Sequence, residues 1–163
     1  MPVVRRFSLA ALAVVLPAAL ACGEPEPRVR TAGTLAGDWV MTEREGQPLP
    51  NTTRYPLPDR MCTSELIRNV ITLRADGTYA EQTESRAWCE GDPPPDTSWM
   101  HHGSGRFELR GPRGDTINLF DAETGDSERQ KGVFSGNEMR LDRFVVSPPH
   151  TVRYRYVRVG GGQ

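Results

Sequence analysis

The stretch FELRGPRGDTINL, residues 107–119, is the part of the sequence that decides the fold. In 107–110 and again in 116–119, apolar and polar residues alternate strictly, which is typical of a β-strand with one buried face. Between these two runs, Gly111-Pro112-Arg113-Gly114 supplies the residue types that tight turns favour. The stretch therefore predicts an antiparallel hairpin with four apolar side chains on its inner face, namely Phe107, Leu109, Ile117 and Leu119.

The same period of two continues on both sides of this hairpin, from Leu35 to the end of the chain. A second hairpin is predicted around Asp76-Gly77, a dipeptide favoured in two-residue loops that need a positive φ. Counting all such runs, the sequence predicts eight strands, at 38–44, 66–73, 78–86, 99–110, 116–119, 127–134, 138–146 and 151–159.

Three segments between or within these runs need separate interpretation. The apolar spacing in 66–71 also suits a helix that begins at Thr63 or Ser64, and a strand is favoured here. Residues 90–98 are predicted to form a loop, because the three consecutive prolines 93–95 cannot donate ladder hydrogen bonds. Asn51-Thr52-Thr53 is interpreted as part of an exposed polar loop.

Eight short sequential strands joined by tight turns favour an all-β fold, an antiparallel up-and-down barrel over residues 35–160. The alternative is a β-sandwich. Such a barrel is either filled by its own side chains or holds one small ligand. The candidate interior residues, which would form the core or line a ligand pocket, are Trp39, Met41, Tyr79, Phe107, Leu109, Ile117, Leu119, Tyr154 and Tyr156.

The amino terminus has the pattern of an export signal. Arg5 and Arg6 precede an apolar stretch, 7–21, that is too short to remain as a membrane span. The stretch ends Ala19-Leu20-Ala21-Cys22, which resembles the lipobox of bacterial lipoprotein signal peptides. The resemblance implies a signal peptide at 1–21 and a lipidated Cys22, followed by a tether to residue 34. The alternative is ordinary secretory cleavage after Ala21, which leaves Cys22 as a thiol.

The lipobox implies a location and a membrane contact. The chain would be anchored in the cell envelope through the Cys22 lipid, and the Gly23 that follows indicates the outer membrane, facing the periplasm, in a cell with two membranes. Ordinary cleavage would instead give a secreted soluble protein. With Cys22 assigned to the lipid, Cys62 and Cys89 remain as an even pair in an oxidising compartment, so we expect a disulfide between them.

Composition excludes several classes of protein. The 163 residues carry 20 Lys+Arg against 21 Asp+Glu, a net charge of −1 that excludes a dedicated nucleic-acid binder. No apolar run reaches the roughly 18 residues of a spanning helix.

Leu35-Ala36-Gly37-Asp38-Trp39 opens the first strand, and Tyr154-Arg155-Tyr156-Val157-Arg158 ends the last. Together with the eight-strand meander, these residues resemble the lipocalin-like barrels of bacterial envelope lipoproteins. In lipocalins a Gly-x-Trp opens the first strand and a late Arg packs over that Trp, which implies these roles for Gly37, Trp39 and Arg158. The alternation of side chains along a strand leads to the same expectation. If Tyr154 and Tyr156 face inward on the last strand, Arg158 also faces inward. The last strand pairs antiparallel with the first, on which Trp39 and Met41 face inward, so Arg158 would lie beside Trp39.

The sequence contains no recognisable set of nucleophile, base and orienting group, so no enzyme activity and no cofactor are predicted. His101 and His102 would point to opposite faces of a strand, and 121–126 departs from the calcium-loop pattern, so no metal site is predicted. The leading functional hypothesis is a lipid-anchored, non-enzymatic barrel that binds a small, largely apolar molecule. The alternative is an envelope interaction or inhibitor module with a filled barrel.

Overall fold

The computed structural model of the chain describes residues 29–123, 128–145 and 149–160. Within these ranges the chain forms one helical turn and ten strands. They are α1 (Ala32–Leu35), β1 (Gly37–Arg44), β2 (Gln47–Pro48), β3 (Asn51–Pro56), β4 (Met61–Leu73), β5 (Thr78–Cys89), β6 (Trp99–Arg110), β7 (Thr116–Asp121), β8 (Glu128–Ser135), β9 (Glu138–Val145) and β10 (His150–Val159).

The eight predicted strands close into an antiparallel barrel. From β4 to β10 each strand pairs with the next one along the chain, and β1 pairs with both β10 and β4. Trp39 on β1 lies opposite Arg158 on β10 and opposite Ile71 on β4, so β1 closes the ring. The predicted barrel is confirmed. The sandwich alternative is wrong, because β1 and β10 pair with each other and close the sheet.

Two further strands, β2 and β3, lie outside the eight predicted ones, and β3 includes residues that the sequence analysis interpreted as a loop. β2 pairs with the end of β1, and β3 pairs with residues 61–66 of β4. Asn51-Thr52-Thr53 is therefore strand, not loop. The prediction failed because nearly all of β3 is exposed on both faces, so its sequence has no apolar alternation.

The ambiguous apolar segment belongs to β4 and is a strand, as favoured. A bulge between Leu66 and Arg68 inserts one residue into the ladder with β5. Inward positions are therefore Leu66, Asn69, Ile71 and Leu73. The bulge lets Leu66 and Ile71, which are five residues apart, face the same side of the strand.

The connections differ from expectation at one point. Residues 74–77 form a four-residue link between β4 and β5, not a two-residue loop, with Gly77 at φ +84°. The Asp76 carboxylate stabilises this link by accepting hydrogen bonds from the backbone N–H of Thr78 at 2.9 Å and from its hydroxyl at 2.7 Å. The predicted loop at 90–98 does connect β5 to β6.

The hydrophobic core fills the half of the barrel where β1 begins and β10 ends. Its largest fully buried side chains include Trp39, Tyr79, Tyr156, Ile71, Leu73, Ile117, Leu119, Met139 and Leu141. Met41 and Phe107 belong to the same buried cluster, and Leu109 and Tyr154 are partly buried against it. Every candidate interior residue thus lies on the inner side of the barrel.

Some predictions concern residues outside the described ranges. These are the signal peptide at 1–21, the lipid on Cys22 and the first part of the tether. The turn at 121–126 is described only as far as Glu123.

Candidate functional site

One end of the barrel is closed by α1 and by the pair Trp39 and Arg158. The Trp39 indole is fully buried, and its Nε1–H donates to the Leu35 carbonyl at 3.1 Å. Arg158 donates from Nη1 to the Thr34 carbonyl at 2.9 Å and from Nη2 to the Ala36 carbonyl at 2.5 Å. Both side chains therefore fasten the turn of α1 across the end of the barrel.

The stacking expected between Trp39 and Arg158 is weaker than the hydrogen bonds that Arg158 makes. The Arg158 guanidinium carbon lies 5.9 Å from the centroid of the Trp39 ring, close to the outer limit of roughly 6 Å for a cation–π interaction. The ring's closest aromatic neighbour is Phe134, with centroids 5.2 Å apart. Hydrogen bonds to carbonyl groups thus fix Arg158 more firmly than the ring does.

The other half of the barrel contains a cavity of about 220 Å³. Its lining is drawn from the inner faces of β1, β4, β5, β8, β9 and β10 and is mostly polar. The residues are Met41, Arg44, Ser64, Leu66, Asn69, Glu81, Thr83, Ser85, Gln130, Arg143, Tyr154 and Tyr156. Pockets that hold drug-sized ligands have volumes of ~300 Å³ or more, so a ligand in this cavity would be smaller than those.

A chain of buried hydrogen bonds runs along one wall of the cavity. The Tyr156 hydroxyl donates to Asn69 Oδ1 at 2.9 Å. Asn69 Nδ2 in turn donates to Glu81 Oε1 and to Thr83 Oγ1, both at 2.7 Å. Asn69 is 2% exposed and Glu81 8%, so these bonds satisfy polar groups that would otherwise be costly to bury. The wall is fixed in one arrangement as a result.

Gln130 on β8 is different, because its side-chain oxygen is unsatisfied. The residue is 4% exposed and lines the cavity, and within the described structure Oε1 accepts no hydrogen bond. A buried acceptor without a donor costs about 1–3 kcal/mol. The cavity therefore contains an acceptor that a ligand could satisfy.

Two arginines face the cavity from the opposite wall. Arg44 lies across the ladder from Tyr154, and Arg143 is two residues beyond Leu141, the partner of Tyr154 on β9. Burial raises the pKa of the Tyr154 hydroxyl above its ordinary value, while the charges of Arg44 and Arg143 act in the opposite direction. A hydrogen bond between Arg143 and the Tyr154 hydroxyl also favours the ionised form, but burial has the larger effect on the pKa, so Tyr154 stays neutral near pH 7.

The sequence predicted only part of this site. Among the candidate interior residues, Met41, Tyr154 and Tyr156 line the cavity, whereas the others lie in the filled half. The polar members were missed, namely Arg44, Asn69, Glu81, Gln130 and Arg143. Most of them could have been found by counting alternate residues along the predicted strands, since alternate residues face inward. Arg44 could not, because a bulge between Met41 and Glu43 changes which residues of β1 face inward.

The disulfide lies at the rim of this open half. Cys62 on β4 and Cys89 on β5 are bonded and stand opposite each other in the ladder, as the sequence predicted. The bond joins the two strands beside the predicted loop at 90–98.

A smaller hollow of about 150 Å³ lies beside the cavity and shares Glu81 and Thr83 with it. His101, His102, Asp121 and Glu123 contribute to its lining. In the ranges that the structure describes, no group of three or more histidine, cysteine or acidic side chains is arranged to hold a metal ion. The same ranges contain no helix whose length and hydropathy would allow it to cross a membrane.

No model of a protein family, no curated protein and no solved structure matches this chain. The barrel itself is compatible with the lipocalin-like architecture that the Gly-x-Trp and the late arginine imply.

Proposed function

We propose that this chain is a non-enzymatic binding protein whose lipocalin-like barrel takes a small polar molecule into its open half. The observation that carries the proposal is the division of the interior, in which large apolar side chains fill the closed half and a cavity of about 220 Å³ occupies the other. Because the lining is mostly polar, we propose a polar ligand in place of the largely apolar one expected from the sequence.

The lipobox-like residues support a location in the cell envelope, with Cys22 as the lipid-anchored residue. The described chain enters at the closed end, where the Arg30 N–H donates to the Arg113 carbonyl at 2.8 Å in the β6–β7 turn. Segment 22–30 reaches at most about 30 Å when fully extended. An anchor on Cys22 would therefore hold the closed end near the membrane and leave the cavity facing away from it.

The proposal is tested by blocking the cavity and by placing the same bulk outside it. Ser64 lines the cavity, and Thr63 is its neighbour on the opposite face of β4. Equilibrium dialysis of the full chain against a small-molecule extract, read by mass spectrometry, should enrich a compound with the wild type and with Thr63→Phe. Ser64→Phe should lose that enrichment. Enrichment by none of the three proteins, or by all three equally, contradicts the proposal.

The interaction module remains the second candidate, supported by exposed apolar side chains at the open rim. Tyr55, Leu57, Trp99 and Met100 lie near the open end and are 37–50% exposed. A partner that covers this rim would protect the backbone amides of β3 and of the start of β6 from hydrogen exchange. Protection by a small molecule would instead centre on β8 and β9.

A further inference from the structure

The lining of the cavity separates into a basic and an acidic wall. Arg44 and Arg143 flank Tyr154 on β1, β9 and β10, whereas the Glu81 carboxylate and Asn69 lie on β5 and β4. A molecule in the cavity would contact cationic donors on one side and acceptor oxygens on the other.

The two inward arginines differ from their outward neighbours in how their charge is compensated. On the outer surface Arg155 bonds to both Glu43 and Glu138, and Arg110 bonds to Glu108. In the described residues no carboxylate lies within ion-pair distance of Arg44 or Arg143. Arg143 hydrogen-bonds to the Tyr154 hydroxyl, but no carboxylate of the described residues neutralises either guanidinium group. Both can therefore bind an anion, and a planar carboxylate suits their fork of donors.

Gln130 gives the second, independent indication. In the β8–β9 ladder Lys131 pairs with Asp142, so Gln130 and Arg143 occupy the next inward positions side by side. The Gln130 oxygen, buried and without a hydrogen-bond partner in the described structure, requires a donor. A ligand whose anionic group is held by Arg143 would carry that donor a short distance from the anion.

We propose that the ligand is a small organic carboxylate with a hydrogen-bond donor on the neighbouring carbon, in the class of α-hydroxy and α-amino acids. Its carboxylate accepts hydrogen bonds from Arg44 and Arg143 on the cavity side of Tyr154, and its hydroxyl or ammonium group donates to Gln130 Oε1 and faces the Glu81 side. The cavity of about 220 Å³ limits it to a compact molecule. This inference rests on the proposed binding function and specifies its chemistry.

Four probes of nearly equal size test separately whether binding needs the carboxylate and whether it needs the neighbouring hydrogen-bond donor. Calorimetry with the full chain should show binding of L-lactate or L-alanine that is at least tenfold tighter than that of propionate, which lacks the donor. Propylamine, which lacks the carboxylate, should not bind. Equal affinities for propionate and the two acids would overturn the role of the donor, and binding of propylamine would overturn that of the arginines.

Variants on β9 and β8 provide matched controls. Arg143→Gln should weaken binding of the tightest probe at least tenfold, whereas Arg140→Gln, on the outer face of the same strand, should leave it unchanged. Gln130→Leu removes an unsatisfied buried acceptor, so it should weaken binding while leaving the melting temperature unchanged or higher. A loss of stability in Gln130→Leu, with binding retained, would show that the glutamine serves the fold and would overturn the proposal.

Failure of the inference is distinguishable from failure of the proposed function. If none of the four probes binds, but the dialysis experiment still enriches a compound that Ser64→Phe loses, the cavity binds a ligand of another class. If neither experiment detects binding, both proposals are wrong.

Discussion

Replacing Arg158 with alanine should release α1 from the end of the barrel and lower the stability of the whole domain. The change removes two hydrogen bonds from a charged donor, to the Thr34 carbonyl at 2.9 Å and to the Ala36 carbonyl at 2.5 Å. Such bonds are worth about 1.5–3 kcal/mol each when buried, and the Thr34 bond is exposed and so contributes less. With a small contribution from the Trp39 ring, the loss should be about 2–4 kcal/mol.

That loss is a large part of the 5–15 kcal/mol that stabilises a typical domain, and it corresponds to a fall of roughly 8–16 °C in melting temperature. Urea unfolding followed by tryptophan emission measures it directly in a Trp88→Phe/Trp99→Phe background, in which Trp39 is the remaining fluorophore. Because Trp39 is fully buried, opening the closed end should also shift its emission to longer wavelength.

Two comparison variants define the refuting result. Arg158→Lys keeps the charge but cannot reach both carbonyls with one planar group, so it should recover part of the lost stability. Arg153→Ala removes an exposed arginine from the same strand and should change stability by less than about 0.5 kcal/mol. If Arg158→Ala behaves like Arg153→Ala, the closed end does not depend on these hydrogen bonds and the reasoning is wrong.

Three further predictions concern other parts of the chain. The mature protein should have an intact mass two daltons below its reduced form because of the Cys62–Cys89 bond, and reduction should cost about 3.5 kcal/mol in urea unfolding for a separation of 27 residues. Metabolic labelling with a fatty acid should mark the wild type and not Cys22→Ser, and equal release of both proteins into the soluble fraction would contradict the anchor. Gly105→Ala should destabilise the domain by about 3 kcal/mol or more in the same unfolding assay, because a Cβ there would collide with the Phe120 carbonyl oxygen and a ring carbon of Tyr79.

The barrel was predictable because one face of each strand is buried. Alternation in 107–119 and its repetition along the chain define which residues point inward, and closure follows from the sequential order of the strands. The position of Arg158 beside Trp39 follows from the same parity. Strands β2 and β3 were not predictable, because they bury neither face and so leave no alternation to detect.

The cavity was harder to predict because polar inward positions look like interruptions of the strand pattern. Arg44 reached the interior only through the bulge after Met41, and Asn69 only through the bulge after Leu66. A bulge is set by tertiary packing and does not have a reliable local signal in these segments. The sequence therefore predicts the barrel but does not show where its interior becomes polar.

The inner face changes from apolar to polar on several strands, within one or two inward positions of each other. Moving away from the closed end, Ile71 is followed inward by Asn69, Tyr79 by Glu81, Leu141 by Arg143, and Phe134, after Gly132, by Gln130. Burying polar groups does not add stability, and an apolar residue at each position would have extended the core at lower cost. The hydrogen-bond chain through Asn69 compensates one wall, but within the described structure the Gln130 oxygen has no donor and the two inward arginines have no carboxylate partner. The Gln130 oxygen is costly to the folded protein alone, and it faces the same cavity as the two arginines, which is the reason for proposing a ligand that donates to it.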